Sequence, residues 1–239
     1  MNSIPIKNSV IFVTGANRGI GKALVETALE QGAAKIYAGA RRPETLKELV
    51  EKGKGRVIAL ELDITSEAQI LKAAERAQDT AILVNNAGIS GYSGLVSHYK
   101  AEGAQSEMSV NYFGTLNMSL AFAPVLKKNG GGALVNIVSV AAFETFEGFR
   151  TYCASKAAEH SLTEGLREEL AGQGTSVAGV YPGPVDTDMA ADLQMEKETP
   201  RQVALNIWKG LESGAEEIWP DPYAVEIGTR LKNASTGLK

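Results

Sequence analysis

An α/β fold is predicted for the chain: a doubly wound parallel sheet of about seven strands with helices on both faces, as a single domain over residues 1–239. The first observation is that short apolar runs rich in Val, Ile and Ala recur at wide intervals without alternating with polar residues. Strands that are covered on both faces have this composition. The second observation is that helical patterns separate these runs. Strand–helix alternation favours right-handed βαβ crossovers and therefore an open sheet.

The predicted elements follow in order along the chain. Strands are expected at 10–15, 35–40, 56–63, 81–88, 133–139 and 175–183, with a weaker seventh at 216–220 opening a C-terminal strand and helix over 216–239. Helices are expected at 20–31, 66–78, 101–128, 151–171, 199–212 and 223–232. Ser66 and Thr199 are expected N-caps, and Pro200 suits the first helical position. Residues 184–199 lack a clear pattern, so we expect a substrate loop there.

Composition and charge exclude several classes of protein. Lys and Arg total 24 against 28 Asp and Glu, and this net charge of −4 without a basic block disfavours nucleic-acid and membrane partners. Cys153 is the single cysteine, which fits a reducing, cytoplasmic environment. With His98 and His160 as the two histidines and no acidic cluster, no metal site is expected. We expect neither a signal peptide nor a membrane-spanning helix, which needs about 18 apolar residues or more.

A glycine-rich turn lies between the first predicted strand and the first predicted helix. It contains Gly15, Gly19 and Gly21 in the spacing G-x-x-x-G-x-G. Glycines let the backbone approach a pyrophosphate, and the free N–H groups of the following helix favour phosphate binding. The alternative is a tight turn in which the glycines serve geometry alone. The flanking strand and helix favour the nucleotide interpretation, because dinucleotide binding requires both.

Together with this turn, four further motifs resemble the short-chain dehydrogenase/reductase family. The motifs, in order, are TGANRGIG at 14–21, NNAG at 85–88, Asn111 in the long helix, Ser139 with Tyr152 13 positions later and Lys156 after it, and Pro182-Gly183. The resemblance covers about residues 8–188. It implies a Rossmann-like fold, a nicotinamide cofactor and oxidoreductase activity.

Tyr152 and Lys156 are four positions apart and therefore share one face of the predicted helix. A neighbouring ammonium favours the phenolate, so we expect Lys156 to lower the pKa of Tyr152 from its ordinary value of about 10. A phenol with a lowered pKa is a usable general acid/base near neutral pH. Taken alone, such a pair also occurs on solvated helices.

The resemblance gives each residue of this set a role. Tyr152 would protonate a carbonyl oxygen while hydride is delivered to the carbonyl carbon, and Lys156 would also hold the nicotinamide ribose. Ser139, at the end of the fifth strand, would donate to the substrate oxygen. Asn111 would hold a water that connects Lys156 to solvent. Taken alone, Ser139 is a strand-end hydroxyl and Asn111 a polar helix residue.

The end of the second predicted strand favours NADP(H) over NAD(H). An acidic residue often binds the adenosine ribose at this point, but here the strand ends in Ala40, Arg41 and Arg42. Arg18 lies within the glycine-rich turn, and cationic forked donors suit a 2′-phosphate. Family members that prefer NADP carry a base at one or both places. The alternative is that Arg41 and Arg42 only contact solvent.

The resemblance also implies a wider set of cofactor-binding residues. Asp63 would lie near the adenine, with helix capping as the alternative. The full set is Gly15, Asn17, Arg18, Gly19, Ile20, Gly21, Arg41, Asp63, Ile64, Asn86, Ala87, Gly88, Tyr152, Lys156, Pro182, Gly183, Val185 and Thr187.

The family builds its substrate pocket from the segments after strands four, five and six, here 89–100, 141–150 and 184–199. An apolar, partly aromatic pocket for a small carbonyl or alcohol substrate is expected, although several of its candidates also suit a core. They are Tyr92, Leu95, Phe143, Phe146, Phe149, Met189, Leu193 and Met195. The C-terminal EEIWPDPYAVEIG replaces the V-D-G-G ending of many members, so analogy assigns no substrate.

Three further residues carry weaker signals. Cys153 adjoins Tyr152, but no histidine is near in sequence to activate it, so we expect a small packing residue rather than a nucleophile. His98 is expected in a loop, with the pocket edge as the alternative. His160 is expected in packing or at an interface.

The two long helices predict association. They carry more apolar residues than one buried stripe requires, and in the family they form a two-fold interface, so we expect a homodimer or homotetramer. The apolar residues are Met108, Met118, Phe122, Leu162, Leu166 and Leu170.

The function expected from these features is reversible, NADPH-dependent reduction of a ketone or aldehyde by a cytoplasmic enzyme of the carbonyl reductase type. The alternative from another class is a sensor or scaffold that binds NADP(H) without chemistry. An extended-branch epimerase or dehydratase is disfavoured, because those chains are usually longer and use another glycine spacing.

Overall fold

A parallel sheet forms the centre of the molecule in the computed structural model, which describes residues 3–91 and 93–236. Within these residues the sheet has seven strands in the order β3-β2-β1-β4-β5-β6-β7, and every pairing is parallel. The strands are β1 (Val10–Thr14), β2 (Lys35–Ala40), β3 (Val57–Glu61), β4 (Ile82–Asn85), β5 (Ala133–Ile137), β6 (Ser176–Val180) and β7 (Glu217–Ile218). The predicted fold class is confirmed.

Helices connect the strands and cover both faces of the sheet. They are α1 (Gly19–Glu30), α2 (Lys47–Gly53), α3 (Glu67–Arg76), α4 (Ala101–Glu107), α5 (Thr115–Lys128), α6 (Arg150–Ala171), α7 (Pro200–Glu212) and α8 (Pro222–Thr236). The wide π-helical segment Met108–Gly114 joins α4 to α5. The helix predicted over 101–128 is therefore continuous but contains a local change of winding that the sequence pattern does not reveal.

Two apolar layers fill the space between sheet and helices. One layer packs α1 and α7 against the sheet, with the fully buried Trp208 donating from its indole to Thr27 at 2.9 Å. The other layer packs α3, α5 and α6 on the opposite face, with Phe12 and Phe122 in edge-to-face contact at 4.9 Å between ring centroids. These layers hold the strand ends rigidly, which is what a positioned site requires.

The chain reverses its direction of winding between β1 and β4. It moves outward from β1 to β3, then returns to place β4 on the other side of β1. Ligands of open α/β sheets bind in the crevice at the carboxyl ends of the strands beside such a switch point. The turn after β1 and the turn after β4 both open into this crevice.

Several predicted helix boundaries hold and others do not. Thr199 accepts a hydrogen bond from the backbone N–H of Gln202 at 3.2 Å, as expected of an N-cap, and Pro200 opens α7. Ser66 occupies the N-cap position of α3 but makes no capping hydrogen bond with its side chain. Helix α2 was not predicted, because its short, strongly charged stretch KELVEKG lacks a long apolar stripe.

The expectation that certain apolar residues of the long helices lie at an interface was wrong. Met118, Phe122, Leu166 and Leu170 are buried in the core of this chain, against the sheet. A helix that packs on a sheet needs a broader apolar face than a helix that packs on one neighbour, which accounts for their number. The exposed apolar side chains of these helices are different ones, Phe113 at 51% and Leu120 at 59% exposure.

The segment predicted as a substrate loop is largely irregular, but a backbone bridge joins its two ends. A short 3₁₀ turn covers Asp188–Ala190, and an isolated parallel bridge joins Val185 to Glu198. The backbone N–H of Asp186 donates to the carbonyl of Glu198 at 2.8 Å. The predicted C-terminal strand and helix are present as β7 and α8, while residues 237–239 lie outside the described residues.

Candidate active site

The glycine-rich turn has the backbone geometry that its sequence predicts. Gly15 and Gly19 have φ angles of +63° and +53°, in the left-handed region that favours glycine. Helix α1 begins at Gly19, and its N-cap residue Arg18 makes no side-chain capping bond. The first turn of α1 also contains no acidic residue. Its N–H groups therefore face the crevice without a side-chain acceptor, as an anion site at a helix N-terminus requires.

The end of β4 is tied to this turn by hydrogen bonds. The hydroxyl oxygen of Thr14 accepts from the backbone N–H of Asn86 at 2.9 Å and from that of Ala87 at 3.0 Å. Ala87 also lies directly under the turn, since a Cβ on Gly15 would approach the Ala87 Cα to 2.9 Å. Asn86, Ala87 and Gly88 line the crevice, as expected.

Basic side chains border one end of the crevice. Arg41 and Arg42 follow β2 and are exposed, beside the small and buried Ala40. Arg18 reaches across the crevice and forms an ion pair from Nη1 to the Asp188 carboxylate at 2.9 Å. This pair joins the glycine-rich turn to the substrate loop, a contact that the sequence did not predict.

Asp63 and Ile64 both line this end of the crevice, yet their side chains have structural roles as well. The Asp63 carboxylate accepts from the backbone N–H of Thr65 at 2.9 Å and from the Thr65 hydroxyl at 2.7 Å. Asp63 therefore closes the turn before α3, while the N-cap position of that helix is occupied by Ser66. Ile64 packs under Gly114, where a Cβ would lie 2.6 Å from the Ile64 Cδ1.

The acid/base candidates come together at the middle of the crevice. Tyr152 and Lys156 lie one turn apart on α6, with the Lys156 Nζ 5.8 Å from the centre of the Tyr152 ring. Ser139 follows β5, and its hydroxyl oxygen accepts from the backbone N–H of Ala141 at 3.1 Å. The Ser139 hydroxyl donates to the carbonyl of Pro182 at 3.4 Å, lines the same crevice as Tyr152 and Lys156, and lowers the pKa of Tyr152. The structure therefore brings Ser139, Tyr152 and Lys156 together.

The pKa of Tyr152 differs from the sequence-based expectation. Burial raises it above the ordinary tyrosine value, and the Lys156 ammonium lowers it by less than burial raises it. The carboxylate of Glu159 raises it further. Lys156 therefore lowers the Tyr152 pKa as expected, but burial outweighs this effect, and the net shift is upward rather than downward.

Glu159 is the contributor that sequence reasoning missed. Its Oε2 lies 2.6 Å from the Lys156 Nζ, and the side chains of both residues are buried. The Lys156 ammonium also donates to the carbonyl of Ile137 at 2.9 Å. A glutamate three positions after a lysine is ordinarily read as a surface helix pair. The signal that could have identified it is its position on the face that Tyr152 and Lys156 share.

Asn111 lies in the π-helical segment and is fully buried. Its side-chain amide donates to the carbonyl of Ile89 and to the hydroxyl of Ser155, both at 2.9 Å. Its Oδ1 accepts from the backbone N–H of Ile89 at 2.9 Å. The side chain thus ties the segment after β4 to α6. Asn111 is near Lys156, since a Cβ on Gly88 would lie 3.2 Å from Asn111 Oδ1 and 3.6 Å from Lys156 Nζ.

A buried aspartate positions the turn after β6. Asp221 accepts from the backbone N–H of Gly183 and from that of Ala224, each at 2.8 Å. Pro182, Gly183, Val185 and Thr187 line the crevice, as expected. Sequence reasoning missed Asp221, because an isolated aspartate between two prolines resembles an ordinary turn residue.

The predicted substrate residues divide into three groups. Phe146, Phe149, Met189, Leu193 and Met195 line the crevice. Leu95 lies on an exposed loop instead, and Phe143 packs against His160 and Tyr181. Tyr92 lies outside the described residues. The crevice lining also includes Ser90 and Tyr223, which the sequence did not identify.

His160 and Cys153 lie in packed positions and His98 lies in a loop, which are the places that the sequence predicts for them. His160 Nδ1 is 2.9 Å from the Tyr181 hydroxyl, and its ring contacts Phe143. Cys153 is buried, and burial raises the pKa of its thiol, which disfavours the reactive thiolate. His98 lies on an exposed loop with a φ of +57°.

Neither a metal-binding cluster nor a membrane-spanning helix occurs in the part of the chain that the structure describes. Residues 3–91 and 93–236 contain no group of three or more His, Cys, Asp or Glu side chains placed to hold a metal ion. Among these same residues, none of the helices combines the length and the apolar character needed to cross a lipid bilayer.

The chain and its fold are similar to those of known proteins. The chain is 41% identical to a short-chain dehydrogenase from Burkholderia cenocepacia solved in complex with NADP, over 98% of this chain and 97% of that one, with a TM-score of 0.91. A short-chain dehydrogenase from Sphingobium yanoikuyae solved with NADPH is 28% identical over 96% of this chain and 94% of that one, with a TM-score of 0.83.

Uncharacterised oxidoreductases are similar in sequence. One from Staphylococcus saprophyticus is 31% identical over 211 residues, which cover 84% of this chain and 90% of that protein. The model of the short chain dehydrogenase family matches residues 9–198. This match spans the glycine-rich turn, the acid/base residues and the loop after β6, and the chain therefore belongs to the short-chain dehydrogenase family.

Proposed function

We propose that the protein is an NADPH-dependent oxidoreductase that transfers a hydride between the nicotinamide and a carbonyl or secondary alcohol group, with Tyr152 as the general acid/base. The observation that supports it most is the meeting of Ser139, Tyr152 and Lys156 in the same crevice as the glycine-rich turn. A protein that only binds a dinucleotide needs the turn but not the aligned acid/base pair.

The residues of the crevice fit NADP(H). The turn at Gly15 and Gly19 presents uncapped N–H groups to a pyrophosphate, and Arg18 with Arg41 supplies cationic donors for a 2′-phosphate. The crevice volume of about 1590 Å³ exceeds the range of about 300–1,000 Å³ for small-molecule pockets, as expected for a site that takes a dinucleotide and a substrate together. The NADP-bound structure from Burkholderia cenocepacia supports the same cofactor.

The roles of the side chains follow from their positions. The bound dihydronicotinamide supplies the hydride to the carbonyl carbon. Tyr152 donates its phenolic proton to the carbonyl oxygen, and the Lys156 ammonium stabilises the phenolate that remains. Ser139 donates a hydrogen bond to the same oxygen and orients it. In alcohol oxidation, the Tyr152 phenolate takes the proton back.

Asn111 is proposed to support this set by fixing the backbone around it. Its amide bonds to Ile89 and to Ser155 on α6 hold the segment after β4 at a constant distance from Lys156. The water-mediated proton path from Lys156 to solvent, which the family resemblance implies for Asn111, is retained as part of the proposal.

The substrate is proposed to be an apolar or aromatic carbonyl compound. The lining beyond Tyr152 is supplied by Phe146, Phe149, Met189, Leu193 and Met195, whose side chains offer dispersion and aromatic contacts rather than charge. We further propose a cytoplasmic protein that forms a homodimer or homotetramer through α4, α5 and α6. The exposed Phe113 and Leu120 support this contact surface.

The proposal is tested by supplying NADPH or NADH to the purified protein with a panel of aliphatic and aromatic ketones and aldehydes. We expect substrate-dependent loss of nicotinamide absorbance with NADPH, fastest for the aromatic members. Cofactor binding without turnover across the panel would instead identify a sensor or scaffold. The variant Tyr152→Phe serves as the control for turnover, because it retains the crevice but lacks the proton.

A further inference from the structure

A buried ion pair lies directly behind the acid/base residues and has no place in the roles described so far. Glu159 Oε2 lies 2.6 Å from Lys156 Nζ, with side-chain exposures of 2% and 5%. The hydroxyl of Thr115 on α5 donates to Glu159 Oε1 at 3.3 Å. Burying two charges costs more than a well-packed apolar pair of the same volume, so fold stability alone gives little reason for this arrangement.

The pair changes the electrostatic environment of Tyr152. An isolated Lys156 ammonium would favour the phenolate, while a carboxylate at its far side offsets that effect. Both contributions act on the Tyr152 pKa, Lys156 lowering it and Glu159 raising it, against a background in which burial raises it most. The Glu159 carboxylate therefore offsets part of the effect of the Lys156 ammonium on the phenol.

The charged state of Lys156 also depends on Glu159. Burial alone would lower the pKa of Lys156, and the charge of the Glu159 carboxylate together with Tyr152 more than offsets that effect. The carbonyl of Ile137 accepts one N–H of the ammonium, and Glu159 accepts another. Two fixed acceptors leave the third N–H for the side that faces Tyr152 and the crevice.

We propose that Glu159 is a positioning residue that fixes Lys156 as a charged group and offsets part of its field at Tyr152, so that Tyr152 remains a proton donor to higher pH than Lys156 alone would allow. This inference rests on the proposed reductase function. It implies that the alkaline limit of carbonyl reduction lies at higher pH than it would without the Glu159 carboxylate, and that alcohol oxidation, which needs the phenolate, likewise begins at higher pH.

The proton and electron balance of the reductive step is complete without another reagent. The C–H bond of the dihydronicotinamide breaks and its hydride forms the new C–H bond on the carbonyl carbon. The O–H bond of Tyr152 breaks and its proton forms the new O–H bond of the alcohol. Solvent returns the proton to Tyr152 before the next turnover, while Lys156 and Glu159 keep their charges throughout.

Other ionisable groups near Tyr152 also bear on the direction in which its pKa shifts. Besides Lys156 and Glu159, the thiol of Cys153 on the same helix acts on the Tyr152 phenol and raises its pKa. Among the described residues of the facing elements, the Ser139 hydroxyl after β5, the Ile137 carbonyl and the Thr115 hydroxyl of α5 contribute polar groups. The ionisable side chains of Glu147 and Tyr223 also line the crevice.

The direct test is the pH profile of kcat for ketone reduction in wild type and in Glu159→Gln. Reduction requires protonated Tyr152 and charged Lys156, and removing the carboxylate favours loss of either proton at lower pH. We expect the alkaline limb to move down by about one pH unit or more, the size that a charge at this range produces. Glu159→Asp keeps the charge on a shorter arm and should recover at least half of the shift.

A matched control separates this effect from the loss of any buried carboxylate. Glu107 is likewise fully buried on a neighbouring helix, but it accepts from the backbone N–H of Gly91 instead of from Lys156. Glu107→Gln should leave the alkaline limb where wild type has it, even if kcat falls. An alkaline limb in Glu159→Gln that coincides with wild type would overturn the inference, as would an equal shift in Glu107→Gln.

A second measurement does not depend on turnover. The phenolate of Tyr152 is followed by ultraviolet difference absorbance between the cofactor-free wild-type protein and Tyr152→Phe during an alkaline titration. We expect Tyr152 to ionise above the ordinary tyrosine value of about 10. Ionisation near neutral pH would contradict the inference. In the Glu159→Gln background, Tyr152 should ionise at lower pH than in wild type, and an unchanged titration would overturn the inference. This comparison decides the inference even if the ketone panel shows no reduction, in which case the proposed function fails separately.

Discussion

The side-chain amide of Asn86 donates to the carbonyl oxygen of Thr14 at 2.9 Å, which joins the carboxyl ends of β4 and β1 at the switch point of the sheet. The same amide reaches the carbonyl of Gly15 at 3.2 Å. Asn86 therefore fixes the path of the glycine-rich turn from the side of β4. The turn is held by its neighbouring strand as well as by its own glycines.

This bracing makes Gly21 intolerant of a side chain. A Cβ at Gly21 would lie 2.5 Å from the Asn86 amide nitrogen and would also overlap the Gly15 carbonyl. We expect Gly21→Ala to weaken NADPH binding at least about tenfold, a cost of about 1.4 kcal/mol, because the turn must shift. The measurement is a fluorescence titration with NADPH.

Gly165 provides the matched control for this substitution. It lies on α6, and a Cβ there would meet nothing within 4 Å. Gly165→Ala should bind NADPH as wild type does and gain about 0.5–1 kcal/mol in the free energy of unfolding, the usual gain for alanine within a helix. Unchanged NADPH binding in Gly21→Ala would show that the turn is looser than its contacts indicate.

The arginines in the glycine-rich turn and after β2 predict a preference for NADPH over NADH. Charge-assisted hydrogen bonds contribute roughly 1.5–3 kcal/mol each when well formed, so two partly exposed ones from Arg18 and Arg41 should give about 2–4 kcal/mol in total. That corresponds to roughly 30- to 700-fold in kcat/KM over NADH. Arg41→Ala should lower kcat/KM with NADPH about tenfold and leave NADH nearly unchanged.

Ala40→Asp should reduce the preference for NADPH over NADH more than Arg41→Ala does. The new carboxylate repels the 2′-phosphate of NADPH and accepts from the ribose hydroxyls of NADH. Steady-state kinetics with both cofactors provides the comparison. Equal losses with NADPH and NADH in Arg41→Ala would mean that this arginine supports the fold rather than the phosphate.

The ion pair between Arg18 and Asp188 predicts an effect of the opposite sign. Asp188 competes with a 2′-phosphate for Arg18 and adds negative charge beside it. Both side chains are more than half exposed, so the pair is worth at most about 1 kcal/mol. We expect Asp188→Asn to tighten NADPH binding by up to about fivefold and to leave NADH binding unchanged. Weaker NADPH binding would show that Asp188 orients Arg18 instead.

Much of the fold and the site could be predicted from sequence because short local patterns encode them. The turn after β1 needs glycine at defined positions, and α7 has both its cap at Thr199 and its opening Pro200. Long-range charge effects could not be predicted in this way. The distance from Glu159 to Lys156 and the burial of Tyr152 are properties of the packed molecule. Burial sets the direction of the Tyr152 pKa shift, and Glu159 adds to it.

The same reasoning explains why the prediction of certain interface residues was wrong. Apolar periodicity identifies the buried face of a helix but does not identify what covers it, so Met118 and Phe122 were assigned to a partner although they face the sheet of their own chain. Apolar periodicity also does not distinguish an α-helix from a short π-helical segment, so the π-helical winding around Asn111 is known only from the structure.

The surface around Phe113 and Leu120 predicts self-association. Both side chains are exposed on the helices proposed as the contact surface. We expect light scattering of wild type at micromolar concentration to give at least twice the chain mass of 25.3 kDa. Leu120→Glu should shift the population toward monomer, since it places a charge in an apolar contact. Val225→Glu, at a similarly exposed position on α8, should not.

The acid/base assignment of Tyr152 is tested most directly by Tyr152→Phe, measured with the best ketone of the panel under single-turnover conditions and by NADPH titration. Removing the hydroxyl deletes the proton donor and leaves the crevice intact, so we predict a loss of at least about 100-fold in the rate of hydride transfer, the lower end for a general acid. NADPH affinity should stay within a few-fold of wild type. A variant that retains most of its single-turnover rate would contradict the assignment.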